Sequence, residues 1–218
     1  MSPNPTIDLT ATLTTTTVSL SHASPDSPPI SLNLLLRLQN SPKPITIALD
    51  PSAFSPKPAN FYRSYYHLTS LSTGLHPRQM RVHGLIGGHQ TIQDPETELL
   101  TLYPDSPPIE LSIPLGISAS ASYTEKKDQG ADTLPYLAIA ATPLAGLELG
   151  ERYRVELKDW QGEFPGYAWW WDWGEKKEIL EARGVGEGPM TVKVIQSAFS
   201  ESQLRVRMGE GPVMEVVE

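Results

Sequence analysis

Between Ile30 and Leu38 the chain sets Ile30, Leu32, Leu34, Leu36 and Leu38 in strict alternation with Ser31, Asn33, Leu35 and Arg37. A period of two lines one face of a pleated strand with apolar side chains, so this segment is predicted as a strand with one buried face. Thr6 to Leu20 follows the same rule more loosely. Ile7, Leu9, Ala11 and Leu13 share one face, and Val18 and Leu20 resume after a slip. Threonine fills most of the intervening positions and tolerates a half-wet pleated surface; the slip predicts a bulge in one long strand. His22 to Pro29 and Asn40 to Pro44 are turn clusters, and Ile45, Ile47 and Leu49 form a third strand. Three consecutive strands with short polar connections predict an antiparallel meander.

The same grammar continues along the chain. Pro51 to Pro58 breaks the pattern, and Phe61, Tyr62, Tyr65 and Tyr66 are expected in a packed loop or one helical turn. Met80, Val82, Leu99, Leu100 and Leu102 mark two further strands, followed by Ile109, Leu111 and Ile113. Tyr136 to Ala141, then Tyr153, Val155 and Leu157, then Met190 to Ile195 and Leu204 to Met208 supply the rest. Glu175 to Arg183 is the helix candidate, with Asp172 near its start and Gly184 past its end. About ten strands and one short helix near the C-terminal third predict an all-β fold, an antiparallel sandwich of immunoglobulin type. A single domain over residues 1–218 is expected, with a flexible polar loop near 123–133.

The chain has 21 prolines and a net charge of -8, both unevenly placed. Residues 1–120 hold 16 of the prolines with 8 acids against 6 bases, whereas residues 121–218 hold 5 prolines with 17 acids against 11 bases. The proline-rich part contains a repeated phrase, Pro25-Asp-Ser-Pro-Pro-Ile30-Ser-Leu32 and Pro104-Asp-Ser-Pro-Pro-Ile109-Glu-Leu111. Asp accepts turn hydrogen bonds and paired prolines lack N–H donors, so each copy ends a connection and guards a strand edge. A duplicated module or a proline-rich ligand motif is the functional alternative.

These numbers exclude several classes. With no cysteine, disulfides, thiolate metal sites and a Cys nucleophile are impossible. A pI near 5.1 with scattered basic residues argues against a nucleic-acid partner. No apolar run approaches the roughly 18 residues of a membrane helix, and Met1-Ser-Pro-Asn-Pro5 has neither a basic nor an apolar leader region. Together with the missing Asn-x-Ser/Thr sequon, this predicts a cytoplasmic protein without a membrane partner.

All five tryptophans fall within the 14 residues from Trp160 to Trp173. Were Tyr167 to Trp173 extended, Tyr167, Trp169, Trp171 and Trp173 would share one face, with Ala168, Trp170 and Asp172 on the other. Such rows anchor interfaces or stack on sugars, and they also plug the end of a sandwich. Four aromatics on one open face exceed what a monomer exposes, so some of them are expected inside. Trp160, Tyr167, Trp169, Trp170, Trp171, Asp172 and Trp173 are the candidate binding residues.

Other constellations carry less. His76, His83 and His89, with His67 close by, are spaced by seven and six residues, which matches no short zinc motif, and no histidine precedes a glutamate, so these read as surface or hydrogen-bonding histidines. His83 and His89 flank a glycine-rich stretch, Gly84 to Gly88, that reads as a loop. Neither it nor Gly184 to Gly188 matches a dinucleotide fingerprint or a P-loop; both read as turns. Asp159, Glu163 and Asp172 flank the tryptophans as a glycosidase pair would. No Gly-x-Ser-x-Gly elbow occurs. No catalytic residue, metal site or cofactor is predicted.

Leu36-Arg-Leu38-Gln-Asn40, Pro44-Ile45-Thr-Ile47 and Leu49-Asp-Pro51 resemble the opening strands of Ig-like sandwich domains in filamentous-fungal proteins. These include the non-catalytic region of deuterolysin-type metallopeptidases. Leu147-x-Leu-Gly150-x-x-Tyr153-x-Val155-x-Leu157 is similar to a late strand of such domains. The resemblance implies a sandwich. The family's catalytic His-Glu-x-x-His is missing, so no peptidase activity follows from it. The expected function is therefore non-enzymatic binding of a protein partner through the aromatic segment. A glycan-binding or glycan-cleaving role and a self-associating structural role are the alternatives.

Overall fold

The computed structural model of the chain describes residues 4–19, 30–49, 52, 54–55, 66–77, 88–115, 147–157, 170–186, 188–194 and 204–218. Within them are thirteen strands and two short helices. The strands are β1 (Thr6–Leu13), β2 (Thr17–Ser19), β3 (Ser31–Gln39), β4 (Ile45–Ala48), β5 (Tyr66–Ser70), β6 (Gly88–Ile92), β7 (Leu99–Leu102) and β8 (Ile109–Pro114). The later ones are β9 (Arg152–Leu157), β10 (Trp171–Trp173), β11 (Met190–Val194), β12 (Arg205–Met208) and β13 (Val213–Val217). Helix α1 spans Pro95–Glu98 and α2 spans Lys176–Ala182. The all-β expectation holds.

Two four-stranded sheets, in the orders β12-β1-β3-β8 and β2-β13-β9-β5, contribute to one core. From the first come Ile7, Leu9 and Ala11, then Leu32, Leu34, Leu36 and Leu38, then Ile113; from the second come Val18, Tyr66, Leu68, Tyr153, Val155, Met214 and Val216. Leu32, Leu34 and Leu36 are at most 1% exposed. Burying each such side chain favours folding by about 1.5–3 kcal/mol. The alternating residues of β3 therefore face where their period puts them.

The slip after Leu13 is not a bulge in one strand. The chain leaves the first sheet there, and β2 joins the second sheet beside β13. The two ends of the molecule make this crossing together. β12 runs parallel to β1 and β13 runs parallel to β2, with Arg205 N–H on Pro5 O at 3.0 Å and Glu215 N–H on Thr16 O at 2.7 Å. At Gly211, between β12 and β13, a Cβ would stand 1.6 Å from Val155 O, so only glycine fits this approach.

The meander expected from the first three strands is also corrected. β3 pairs with β1 and β8, while β4 pairs with β7 and β10 in a separate three-stranded sheet. Alternation tells which face a strand buries but not which neighbour it takes. The helical turn or packed loop expected around Tyr66 is instead the start of β5, and Gly88 of the expected glycine loop opens β6. Phe61, Tyr62, Tyr65, Met80, Val82, Gly84 and the segments 123–133 and 136–141 lie outside the described residues. So does the first Pro-Asp-Ser-Pro-Pro copy. The second places Asp105 at φ 59° and leads into β8, an edge strand of its sheet among the described strands. β3 and β8 are antiparallel, with Ser31 opposite Pro114, so the strands that follow the two copies enter the sheet from opposite ends.

A second, smaller core gathers Ala48, Ile92, Leu99, Trp170, Ile179, Leu180, Met190 and Val192. Its walls are the ends of β4 and β7, the two-stranded β6–β11 ladder and the buried side of α2. α2 begins with a capping box: Glu175 accepts from the N3 backbone, and Glu178 returns a bond to the Glu175 N–H at 3.2 Å. Glu175 is thus the N-cap, and Asp172, near the helix start, lies in β10. α1 is capped by Asp94, whose side chain accepts from Glu96 N–H at 3.1 Å, with Pro95 at its first position.

Candidate functional site

Trp170 and β10 are the described part of the tryptophan segment. Trp171, Asp172 and Trp173 lie opposite Ile47, Thr46 and Ile45 of β4, and the ladder extends at both ends. Ala48 N–H bonds Trp170 O at 2.9 Å, and Gly174 N–H bonds Pro44 O at 2.9 Å. Gly174 has φ 114°, which releases the chain from the sheet toward α2. Aromatic residues suit a strand that packs on one side and meets water on the other.

Alternation then divides the rings. Trp170 points into the second core and is 6% exposed. Trp171 and Trp173 point the other way, half-buried against the first core, with centroids 5.3 Å apart and planes at 73°. Lys43 Nζ lies 5.5 Å from the Trp173 ring centroid, a cation–π contact. Trp160, Tyr167 and Trp169 lie outside the described residues, so the full aromatic row is not placed.

Asp172 shares the side of Trp170. Its Oδ2 accepts from Arg183 Nη2 at 3.0 Å and its Oδ1 from Trp173 N–H at 2.8 Å. Arg183, at the C-terminal cap of α2, sets its guanidinium 5.4 Å from the Trp170 centroid. One arginine thus ties the helix to both residues of the strand. Beneath it, fully buried Thr46 donates to Gly174 O at 2.8 Å and contacts Thr101 Oγ1 at 2.9 Å, while Lys176 N–H bonds Thr101 Oγ1 at 3.0 Å. Every polar group named here has a partner, so the tryptophan strand is rigidly seated. Asp159 and Glu163, proposed with Asp172 as a carboxylate pair, lie outside the described residues. Asp172 itself is engaged by Arg183.

The histidines sort differently from their spacing. His83 lies outside the described residues and His89 lies in β6, but His67 and His76 meet with ring centroids 4.3 Å apart. His67 lies opposite Glu156 across the β5–β9 ladder, and its Nε2 is 3.1 Å from Glu156 Oε2. Thr69 donates to the same Oε2 at 2.5 Å. His76 returns from the following turn, with Nδ1 at 3.0 Å from Leu68 O and 3.3 Å from Thr69 Oγ1. The Thr69 hydroxyl, opposed by partial desolvation and aided by His67, holds the Glu156 carboxyl below its usual range.

This cluster was not singled out from sequence. The signal was the polar side of two alternating strands, His67 and Thr69 on β5 and Glu156 on β9. Its chemistry is that of a closed hydrogen-bond network rather than a nucleophile. Thr69 gives its only proton to Glu156, so His76 Nδ1 must be the donor toward Thr69 and cannot act as its base. Among the described residues no three His, Asp or Glu side chains are disposed to hold one metal ion.

No described helix is long and apolar enough to cross a membrane. Comparison with protein-family models, with curated proteins and with solved structures finds no match to this chain.

Proposed function

We propose that the chain is a non-enzymatic binding module built on an Ig-like sandwich, and that Trp171 and Trp173 form its contact with a protein partner. The Ig-like reading is supported by a first strand divided between two sheets, whose second half runs parallel to the last strand. The binding reading rests on one observation. Two half-buried indoles stand side by side on a strand that lies, among the described strands, at the edge of its sheet and is held by its ladder with β4 and by the Arg183–Asp172 bond. Half-wet, pre-positioned tryptophan is the residue type that most often dominates an interface.

The ring geometry favours protein over sugar. A pyranose stacks on a flat, open ring face, whereas planes at 73° make a corner that suits an inserted apolar side chain. Replacing Trp171 and Trp173 with Ala in the full chain tests this. Affinity capture with wild type and variant in parallel, followed by titration of any captured protein, should show binding weakened about 30-fold or more. Unchanged far-UV circular dichroism must accompany that loss. If the variant unfolds, the rings are core and the reading fails; it fails equally if the captured partner binds the variant as well as wild type. Fluorescence quenching on a glycan panel would move the assignment to sugar. Concentration-dependent sedimentation abolished by the substitutions would move it to self-association.

A further inference from the structure

Serine directly before proline occurs at Ser2, Ser24, Ser27, Ser41, Ser55 and Ser106. The first three lie outside the described residues, and the other three are placed very differently. Ser55 is 3% exposed, with its N–H on Ser52 O at 3.2 Å, and is closed to an enzyme in the folded chain. Ser41 and Ser106 are partly exposed and lie in turns, the first between β3 and β4 and the second between β7 and β8. Ser106 belongs to the second copy of the Pro-Asp-Ser-Pro-Pro phrase.

The two turns share a device. Among the described residues only two other than glycine have positive φ, Asn40 at 53° and Asp105 at 59°, and each stands directly before a Ser-Pro pair. Asn and Asp are the residues besides glycine that take this left-handed backbone at least cost. The proline that follows keeps the serine out of the helical region and in extended backbone. A left-handed corner followed by an extended serine therefore makes the same short display at both places. The two displays also begin side by side: Leu38, two residues before Asn40, forms a parallel bridge with Pro104, the neighbour of Asp105. A kinase needs an extended acceptor segment whose hydroxyl can reach the γ-phosphate of ATP. A pocket that offers no acceptor for the next residue's N–H selects proline, which lacks one.

We propose that Ser41 and Ser106 are phosphorylation sites for a protein kinase that requires proline after the acceptor serine, and that phosphate on Ser41 draws Lys43 away from Trp173. In the transfer the kinase's base takes the hydroxyl proton and the serine Oγ bonds to the γ-phosphorus of ATP. The bond from that phosphorus to the bridging oxygen breaks, and ADP leaves. At Ser41 this removes the proton that the hydroxyl gives to Lys43 O at 2.6 Å, and it sets about 1.5 to 2 negative charges two residues from the Lys43 ammonium. That ammonium stands 5.5 Å from the Trp173 centroid. An exposed cation–π contact is weaker than a charge-assisted pair with phosphate, so Lys43 turns to the phosphate and uncovers the ring. The modification itself does not depend on what Trp171 and Trp173 bind; its effect on a partner rests on that reading.

The test is to incubate the full chain with ATP and a panel of kinases selective for serine before proline, mapping phosphate by mass spectrometry over time. Ser41 and Ser106 should each be modified about tenfold or more faster than Ser55, which is reached only through local opening. S41A and S106A should each lose its own site and keep the other. Peptides of residues 37–47 and 102–112 report whether the enzymes accept the sequences at all. If the peptides are modified but neither serine of the folded chain is, or if Ser55 reacts as fast as Ser41, the turns do not display the sites and the proposal falls. Peptides left untouched by the whole panel overturn it equally. The Trp173 indole N–H resonance, assigned with W173F, reads the second step. It should shift on phosphorylation of wild type and of S106A and stay in place in S41A. A resonance unmoved in chain phosphorylated at Ser41 would show that Lys43 does not leave the ring.

Discussion

The two cores are built by different rules. The first is mostly aliphatic and periodic: Leu32, Leu34, Leu36 and Leu38 from one strand meet residues from β1, β2, β5, β9 and β13, so strands from both ends of the chain contribute to one core. The second is assembled from one or two residues from each of several elements: one indole, two helix residues and five strand residues. A periodic core spreads its stability over many equivalent contacts. A gathered core concentrates it in its largest member, and Trp170 is that member. The difference is testable first there. Trp170→Ala should cost about 3–5 kcal/mol through lost burial and the cavity left behind. Hydrogen exchange should show protection lost in β6 and β11 while β1 and β3 keep theirs. If protection falls everywhere at once, the cores are one cooperative unit and the distinction collapses.

Leu34→Ala probes the other side and should cost about 2–5 kcal/mol, measured by denaturant unfolding. Here both regions should lose protection together. β4 places Ile45 and Ile47 in the first core and Ala48 in the second, and β7 places Leu102 in the first and Leu99 in the second. The small core hangs on strands that the large one positions. A loss confined to β1 and β3 would show that dependence to be absent.

The contrast also explains what could be read from the residues alone. The buried faces of β1 and β3 were legible because a period of two has one physical meaning. β6 was not, because Gly88-His-Gln-Thr-Ile92 has a single large apolar residue and reads as the end of a glycine loop. β13 went unassigned although Met214 and Val216 are fully buried. The partner of β4 was illegible for another reason: short connections favour sequential pairing, yet the strand is drawn to β7 and β10 by a core that no local pattern announces. For the candidate site, alternation correctly separated Trp170 and Asp172 from Trp171 and Trp173. It could not tell which side would be sealed, because the seal comes from α2 and from Arg183 at that helix's far end, beyond the tryptophan segment.

Arg183 sharpens that point at a smaller scale. Its bond to Asp172 and its contact with Trp170 are both partly open to water, with side-chain exposures of 39% and 41% for the ion pair. Arg183→Ala should therefore cost only about 1 kcal/mol. Its signature should be local: faster exchange in α2 and a red shift of tryptophan emission, with no change in β1–β3. A global loss of several times that size would mean that Arg183 holds the second core closed rather than covering it.

The smallest expected effect separates the cores by pH. Glu156 lies on the outward face of the sheet that walls the first core, and its carboxyl is held below the ordinary value of 4.5, chiefly by the Thr69 hydroxyl. A carboxylate with a lowered folded value contributes stability above the unfolded value. That contribution disappears as the pH falls from about 4.5 through the folded value. Thr69→Val removes the largest cause, so the variant should be slightly less stable than wild type at neutral pH and should converge with it once the pH has fallen through the folded value. The Glu156 side chain is 36% exposed, so water screens part of the effect and the gap at neutral pH should be smaller than that of Arg183→Ala. Denaturant midpoints measured across this range should draw together on the acid side, while the exchange of β6 and β11 amides should be alike in both proteins. A gap that persists unchanged into acid would mean that Thr69 acts through packing and not through the charge on Glu156.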